Sequence, residues 1–283
     1  MFDLNMYITL LSEEKFIEAD SYRKSNMPKK IYKYISLKSM NSCSYSSKCI
    51  NEEEENQKKI NSIRDGMIWL STYNNLNDPF ELSALYIDEE KLKEAGWPAD
   101  DVKTIFEGFK KSFLIGSFTT HLEDCLPMWA HYANNHQGIC VEYDVEDSSY
   151  LYKVSYENNR IPIASILTHI INGYYSEKEG KKTDVDKYFS TILHSACIKD
   201  KSWSYEDEFR ILYPNINKEN FGQLVDINDI GLKVCAVYTG INCDKMYENR
   251  IKDICKNNNC KFYKMKINYS NKKFALSKNL MDN

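Results

Sequence analysis

The sequence predicts an α+β fold in one main domain. Three observations point there. Strand-like and helix-like runs alternate irregularly, with helices grouped between clusters of strands rather than one helix after each strand. Neither a G-x-G-x-x-G fingerprint nor a P-loop occurs, so a nucleotide site of Rossmann or Walker type on a doubly wound parallel sheet has no support. The length, 283 residues, lies between one large domain and two small ones, and no repeat of fixed period is visible.

The elements follow in order. Residues 1–29 are mixed and polar and read as a helical lead-in or a poorly tied terminus, with the single α+β domain spanning residues 30–283. Ile31–Ser36 alternates β-formers and reads as a strand. Asn41–Asn51 is rich in Ser, Cys and Asn and reads as a loop. Glu52–Arg64 reads as a helix, with Glu54 and Glu55 each four residues ahead of a lysine and Gly66 as the stop. Met67–Ser71 is a second strand, and Asn74–Pro79 is loop chemistry. Helices are expected over Asp88–Ala95, Ala99–Lys111 and Leu126–Asn135. Strands are expected over Leu114–Thr119, Gly138–Val145 and Tyr152–Tyr156. Helical periodicity marks Ile161–Tyr174 and Thr183–Ile198. Glu208–Tyr213 and Val234–Thr239 are strands, Cys243–Asn257 is a helix, and Lys261–Ile267 is the last clear strand.

Composition narrows the class. Apolar residues make up 42% and aromatics 13%, enough to bury a core, so a disordered chain is excluded. Lys and Arg number 37 against 41 Asp and Glu, a net charge of −4, which argues against gripping duplex nucleic acid by bulk charge. A dense run of lysines near the end, Lys252 to Lys278, is compatible with a local basic face or with a solvated surface. The nine cysteines are odd in number and show no C-x-x-C pair, and the first eleven residues lack a basic leader region. The longest apolar stretch, Ile161–Tyr175, is too short to span a bilayer. These features predict reduced thiols, no membrane span and a cytoplasmic location.

Four constellations could carry chemistry. Trp203-Ser-Tyr-Glu-Asp-Glu-Phe-Arg210 is the densest polar feature; on a strand, Glu206, Glu208 and Arg210 share one face and Phe209 takes the other. Paired carboxylates push their pKa values apart and suit acid–base or cation-stabilising work, whereas a solvated edge with a Glu–Arg pair is the plainer explanation. Ser71, Thr72 and Tyr73 stand where a strand opens into the Asn/Asp loop, with Asn77 and Asp78 expected to cap a turn and Phe80 to plug the core. Trp129, His131, Tyr132 and His136 lie in a helix-to-strand turn; the histidine spacing of five does not form a metal pair on one helix face, so no metal is expected. Tyr32-Lys33-Tyr34 places a cation between two aromatics, read as core packing or as a stacking rim for a nucleotide.

These blocks, in the order Tyr32-Lys-Tyr34, Ile68-Trp-Leu-Ser71, Asn77-Asp-Pro-Phe-Glu81, Ser117-Phe118, Met128-Trp-Ala-His-Tyr132 with Gly138 and Glu142, and Trp203-x-x-Glu-x-Glu-x-Arg210, resemble a bacterial family known as domain of unknown function 2971. The resemblance runs over about residues 30–215 and implies no activity by itself. A second resemblance is to ADP-ribosyltransferases, which bind NAD in the cleft of a split, mixed β-sheet flanked by helices. It is carried by a Tyr-x-Tyr strand, then Gly66-Met-Ile-Trp-Leu-Ser-Thr72, then a late Glu-x-Glu opening a strand. It implies an ADP-ribosyltransferase-like fold with NAD as substrate. Tyr32, Lys33 or Tyr34 would hold the dinucleotide, Ser71 and Thr72 would line the nicotinamide-ribose pocket, Glu208 would hold the ribose hydroxyl, and Glu206 would engage a nucleic-acid or protein acceptor. Tyr73 or Trp129 would stack on nicotinamide, and His131 and Tyr132 are further contacts. The chain departs from the family pattern in having no Arg or His on the first strand and Tyr73 after Ser-Thr.

Three function classes remain open on these residues. One is an ADP-ribosyltransferase-like enzyme in the role of a toxin or phage-defence effector. The second is a hydrolase or nuclease using Glu206, Glu208 and His131. The third is a non-catalytic module that binds a ligand or partner.

Overall fold

The structure is a computed structural model and describes residues 2–13, 15–38, 47–162 and 193–281. Helices α1 (Leu4–Ser12) and α2 (Phe16–Asn26) lead into β1 (Lys30–Ile35), and α3 (Ser47–Arg64) runs into β2 (Met67–Ser71). After β3 (Leu85–Tyr86) come α4 (Glu89–Glu94), α5 (Ala99–Lys111), β4 (Phe113–Phe118), α6 (Leu126–Tyr132) and β5 (Ile139–Val145). Short strands β6 (Leu151–Lys153), β7 (Ser155–Glu157), β8 (Ile161–Pro162) and β9 (Ile198–Asp200) precede β10 (Phe209–Pro214) and β11 (Gly222–Asp226). Strand β12 (Leu232–Thr239), helix α7 (Lys245–Asn257) and strands β13 (Lys261–Ile267) and β14 (Leu276–Leu280) follow. Local chemistry sets several ends. Asp3, Asp88 and Asp244 accept hydrogen bonds from the first free backbone amides of α1, α4 and α7. Gly66, at φ +66°, terminates α3 in the left-handed region that a glycine tolerates.

Two five-stranded sheets form the body of this α+β fold. The first has the order β1-β5-β12-β13-β14 and is mixed, because β12 and β13 run parallel. The second has the order β11-β2-β4-β10-β6, with antiparallel neighbours throughout. An isolated backbone bridge joins them: Tyr32 and Thr119 exchange hydrogen bonds at 2.8 and 2.9 Å. The main core lies between these sheets and under α3 and α7, with Ile31, Leu70, Leu114, Val141, Ile211, Tyr247 and Ile251 all buried. Each such aliphatic side chain contributes about 1.5–3 kcal/mol when fully buried. A second core, built on Trp129, Cys140, Tyr238 and Met265, covers the other face of the first sheet, and a third, built on Phe113, Ile115, Cys197 and Leu212, covers the other face of the second.

Several expectations change. Helix α3 starts at Ser47, inside the stretch expected to be a loop, because a helix nucleated by good formers extends at one hydrogen bond per added residue. The Tyr152–Tyr156 strand is two strands in different sheets, divided at Val154, whose amide donates to the Glu208 carbonyl at 3.0 Å. Ile161–Pro162 is a strand rather than a helix start, and Ile198 opens a strand; most of the two helices expected over Ile161–Tyr174 and Thr183–Ile198 lies outside the described residues. Helix α6 stops at Tyr132 because Asn134, Asn135 and His136 all take positive φ. The sequence pattern does not predict strands β11 and β14. The N-terminal helices are tied down: Arg23 is 2% exposed, donates to the carbonyls of Ser148, Ser149 and Leu151, and pairs with Asp20 at 2.7 Å. No helix among the described residues is long and apolar enough to cross a membrane.

Candidate functional site

Where β1 separates from β2 and β4, the two sheets leave a cleft of about 200 Å³. Strand alternation decides what faces it. On β2, Ile68 and Leu70 are buried in the main core, so Trp69 and Ser71 point the other way and line the cleft. Trp69 is 46% exposed, and its indole N–H donates to Ser71 Oγ at 3.0 Å. From β1 come Tyr32, Lys33 and Tyr34; from α6 come Met128 and Tyr132; from the loop after β2 comes Asn77.

The acidic wall is built by a turn, not by a strand. Residues 201–206 form a 3₁₀ turn capped by Asp200, and Asp207 then takes a left-handed conformation, φ 44° and ψ 47°. The Asp207 carboxylate is held there by Lys153 and Thr120. This reversal lets Glu206 and Glu208 close on one cation. Lys199 Nζ lies 2.8 Å from Glu206 Oε2 and 2.9 Å from Glu208 Oε2. Strand β10 begins only at Phe209, so the expectation that Glu206 and Glu208 share a strand face is replaced by this turn, while Glu208 and Arg210 do lie together. Arg210 Nε is 3.2 Å from Glu208 Oε1, and its Nη1 is 2.7 Å from Glu81 Oε1. Glu206 and Glu208 are 3% and 1% exposed, so the solvated-edge explanation does not hold.

A buried carboxylate is stable as an ion only when paired and hydrogen-bonded. Burial works against Glu208, but Arg210, Lys199 and the Ser117 hydroxyl outweigh it and hold its pKa down at about 2. Burial raises the Glu81 carboxyl, with Arg210 opposing. Lys199 goes the other way from a typical buried amine: burial lowers it, yet Glu208 and Glu206 leave it raised. Lys33 has less help. Burial pushes its ammonium down to about 8 against the field of Glu208, and among the described residues it donates one long hydrogen bond, 3.5 Å, to the Ser117 carbonyl, with the Phe118 ring 5.2 Å away. Tyr132 donates to Glu206 Oε1 and accepts from Asn77 Nδ2 at 2.9 Å; burial, then Glu206, pushes its phenol upward.

The sequence candidates therefore divide. Tyr32, Lys33, Tyr34, Ser71, Tyr132, Glu206 and Glu208 come together around the cleft. Thr72 is buried and donates to the Asn220 carbonyl at 2.9 Å. Tyr73 turns to Glu107, donating at 2.6 Å. Trp129 is fully buried, donates to the Leu122 carbonyl at 2.8 Å and packs edge-on to Tyr34, so it offers no face to a ligand. His131 is exposed with Nδ1 3.3 Å from the Tyr205 hydroxyl, and His136 stacks on Trp129. Phe80 is 57% exposed rather than a core plug, because the buried Asp78 carboxylate accepts from the Phe80 amide and turns the chain outward. Trp69 and Lys199 went unrecognised in the sequence. The alternation of Ile68-Trp69-Leu70-Ser71 carried a signal for Trp69; Lys199 followed an apolar run with helical period and carried none.

Among the described residues, no group of three His, Cys, Asp or Glu side chains is placed to hold a metal ion. The site is thus a small cleft with an aromatic plate, one weakly partnered amine and two buried carboxylates, each paired with a fixed cation. Neither curated proteins nor solved structures give a match to this chain. Residues 128–211 match the family described as a protein of unknown function (DUF2971). That stretch supplies Tyr132, Lys199, Glu206, Glu208 and Arg210, and over it the chain resembles DUF2971, the family to which its Met-Trp-Ala-His-Tyr and Trp-x-x-Glu-x-Glu-x-Arg motifs point.

Proposed function

We propose that the cleft takes the nicotinamide–ribose end of NAD and that the protein is an ADP-ribosyltransferase-like enzyme. The observation behind this reading is convergence: Lys33 on β1, Ser71 on β2, and Glu206 and Glu208 ahead of β10 surround one cleft where two sheets part. Its volume, about 200 Å³, is below the roughly 300 Å³ of the smallest drug-sized sites, which suits a pyridine ring and its ribose, with the adenylate half outside. Trp69 would stack on the ring, where an aromatic face also favours a pyridinium cation.

The step breaks the bond between ribose C1′ and the nicotinamide nitrogen. Both electrons leave with nicotinamide, which becomes neutral, and positive charge develops on the ribosyl C1′ and ring oxygen. The acceptor's nucleophile then bonds C1′ and yields its proton to Glu206 or to water. A carboxylate beside that developing charge stabilises the transition state more than the ground state. Glu208 fits this task in being ionised across the physiological range, since Arg210 and Lys199 hold its pKa at about 2.

A second reading, a binding module without turnover, is favoured by the full set of donors already on both carboxylates. Nicotinamide release from NAD by the purified protein, beside Glu208→Gln, separates the two. The substitution leaves Lys199 with Glu206 and Arg210 with Glu81, so the fold is expected to persist. Release should fall about 100-fold or more in the variant. Undiminished release by Glu208→Gln removes Glu208 from the reaction. NAD binding without release by either protein favours the module.

A further inference from the structure

We propose that the β13–β14 hairpin is a docking surface for single-stranded nucleic acid. That such a strand is also the acceptor rests on the transferase reading above; the docking does not. Residues 261–280 contain six lysines and no acidic residue, in a chain whose net charge is −4. Lys264 and Lys278 are paired, with Glu248 and Glu123. Among the described residues Lys261, Lys266, Lys272 and Lys273 form no ion pair, so their charge faces solvent.

The tip of this hairpin, residues 268–275, sets two aromatic rings beside two of those lysines. Tyr269 is 88% exposed and Phe274 is 93% exposed. Folding gains nothing from rings left in water, whereas alternating rings and cations are what an unpaired strand requires: bases stack on the rings and phosphates meet the amines. Beneath the tip lies a cavity of about 440 Å³ with an apolar floor of Leu126, Ile241 and Leu276. This cavity and the cleft flank the same helix, since Leu126 of α6 lines the cavity and Met128 lines the cleft. A strand seated at the tip therefore lies one helix away from Glu206. A lipid surface would also attract lysines and aromatics. It would make no use of the cavity, and it would have to take in Asn268, Ser270 and Asn271, whose amides and hydroxyl suit base edges.

The test is fluorescence anisotropy of the full chain with short labelled single-stranded DNA and RNA of mixed sequence, without NAD. The wild type should bind both at low salt, and Tyr269→Ala with Phe274→Ala should weaken binding about tenfold or more. Lys272→Gln with Lys273→Gln should lower the log–log salt slope by about 1.4, at about 0.7 for each phosphate contact on a single strand. Melting temperatures should be unchanged, because the tip is exposed. No binding at low salt, or equal affinity in the aromatic variant, overturns the proposal. Binding to phosphatidylserine vesicles with none to oligonucleotides also overturns it, in favour of a membrane. Because NAD is absent, a failed transferase reading leaves this result standing, and the converse holds.

Discussion

Lys33 and Lys199 stand in one cleft and respond to burial in opposite directions, because their neighbours differ. Two carboxylates lie within 3 Å of Lys199, and it stays raised. Lys33 has only the field of Glu208 against desolvation, and its pKa falls to about 8 from 10.5. The sign of the stability effect follows. Between pH 8 and 10.5 the unfolded chain keeps the Lys33 proton and the native chain has released it, so Lys33 makes stability rise with pH across that window. At pH 7 the native state carries a desolvated charge, at a cost of up to about 3 kcal/mol. Lys33→Met should therefore be more stable than wild type at pH 7 and lose that advantage by pH 10.5. Denaturant melts at the two pH values measure it, and an advantage independent of pH would mean that Lys33 is well solvated.

At the scale of elements, the turns carry the least obvious constraints. Gly138 ends the turn between α6 and β5, and a Cβ there would lie 2.2 Å from the Ile35 carbonyl oxygen and 3.1 Å from Ala133 Cα. Both obstacles are backbone and cannot rotate away. Gly138→Ala should cost about 3 kcal/mol, the upper part of the range for overpacking, and lower Tm by about 6–10 °C. Gly108 is the matched control. It lies inside α5 with nothing within 4 Å of its would-be Cβ, so Gly108→Ala should stabilise by about 0.5–1 kcal/mol. Calorimetry of the pair checks both. The same scale explains an error of expectation at Glu206: period-two reasoning continued the strand backwards past Phe209, but the left-handed Asp207 breaks it, and that conformation is set by Lys153 and Thr120 from elsewhere in the chain.

For the molecule as a whole, the contact that matters is the pairing of Tyr32 with Thr119, where two sheets are joined by two backbone hydrogen bonds. Past it they diverge and the cleft opens. Thr119 is fully buried, and its neighbour Phe118 packs edge-on to Tyr143 across the two sheets, with ring centres 5.8 Å apart. The amides of Tyr32 and Thr119 should therefore exchange hydrogen as slowly as those in the middle of β5, since opening either requires separating the sheets. Exchange as fast as at an edge strand would show that the sheets move independently and that the cleft has no fixed width. The distribution of charge is also a property of this scale: four lysines without ion partners among the described residues are gathered on one hairpin of an acidic protein.

What the sequence determined by itself was local and periodic. Alternation in Ile68-Trp69-Leu70-Ser71 already decides which side chains face the core, because a strand repeats every two residues whatever it packs against, and the same period puts Tyr32 and Tyr34 on one face of β1. Most strands, the amphipathic helices and the α+β class follow from such patterns. The tertiary structure decided the partners. Lys199 reaches Glu206 and Glu208 only because β9 pairs in parallel with β7, and Glu81 reaches Arg210 across more than a hundred residues. It also decided that Trp129 is buried while Trp69 stays open, two tryptophans in equally apolar company in the sequence. Contacts between distant segments depend on how sheets stack and where a turn reverses, and no short-range pattern encodes them. The charge state of the cleft, and with it the chemistry proposed for it, rests on those contacts.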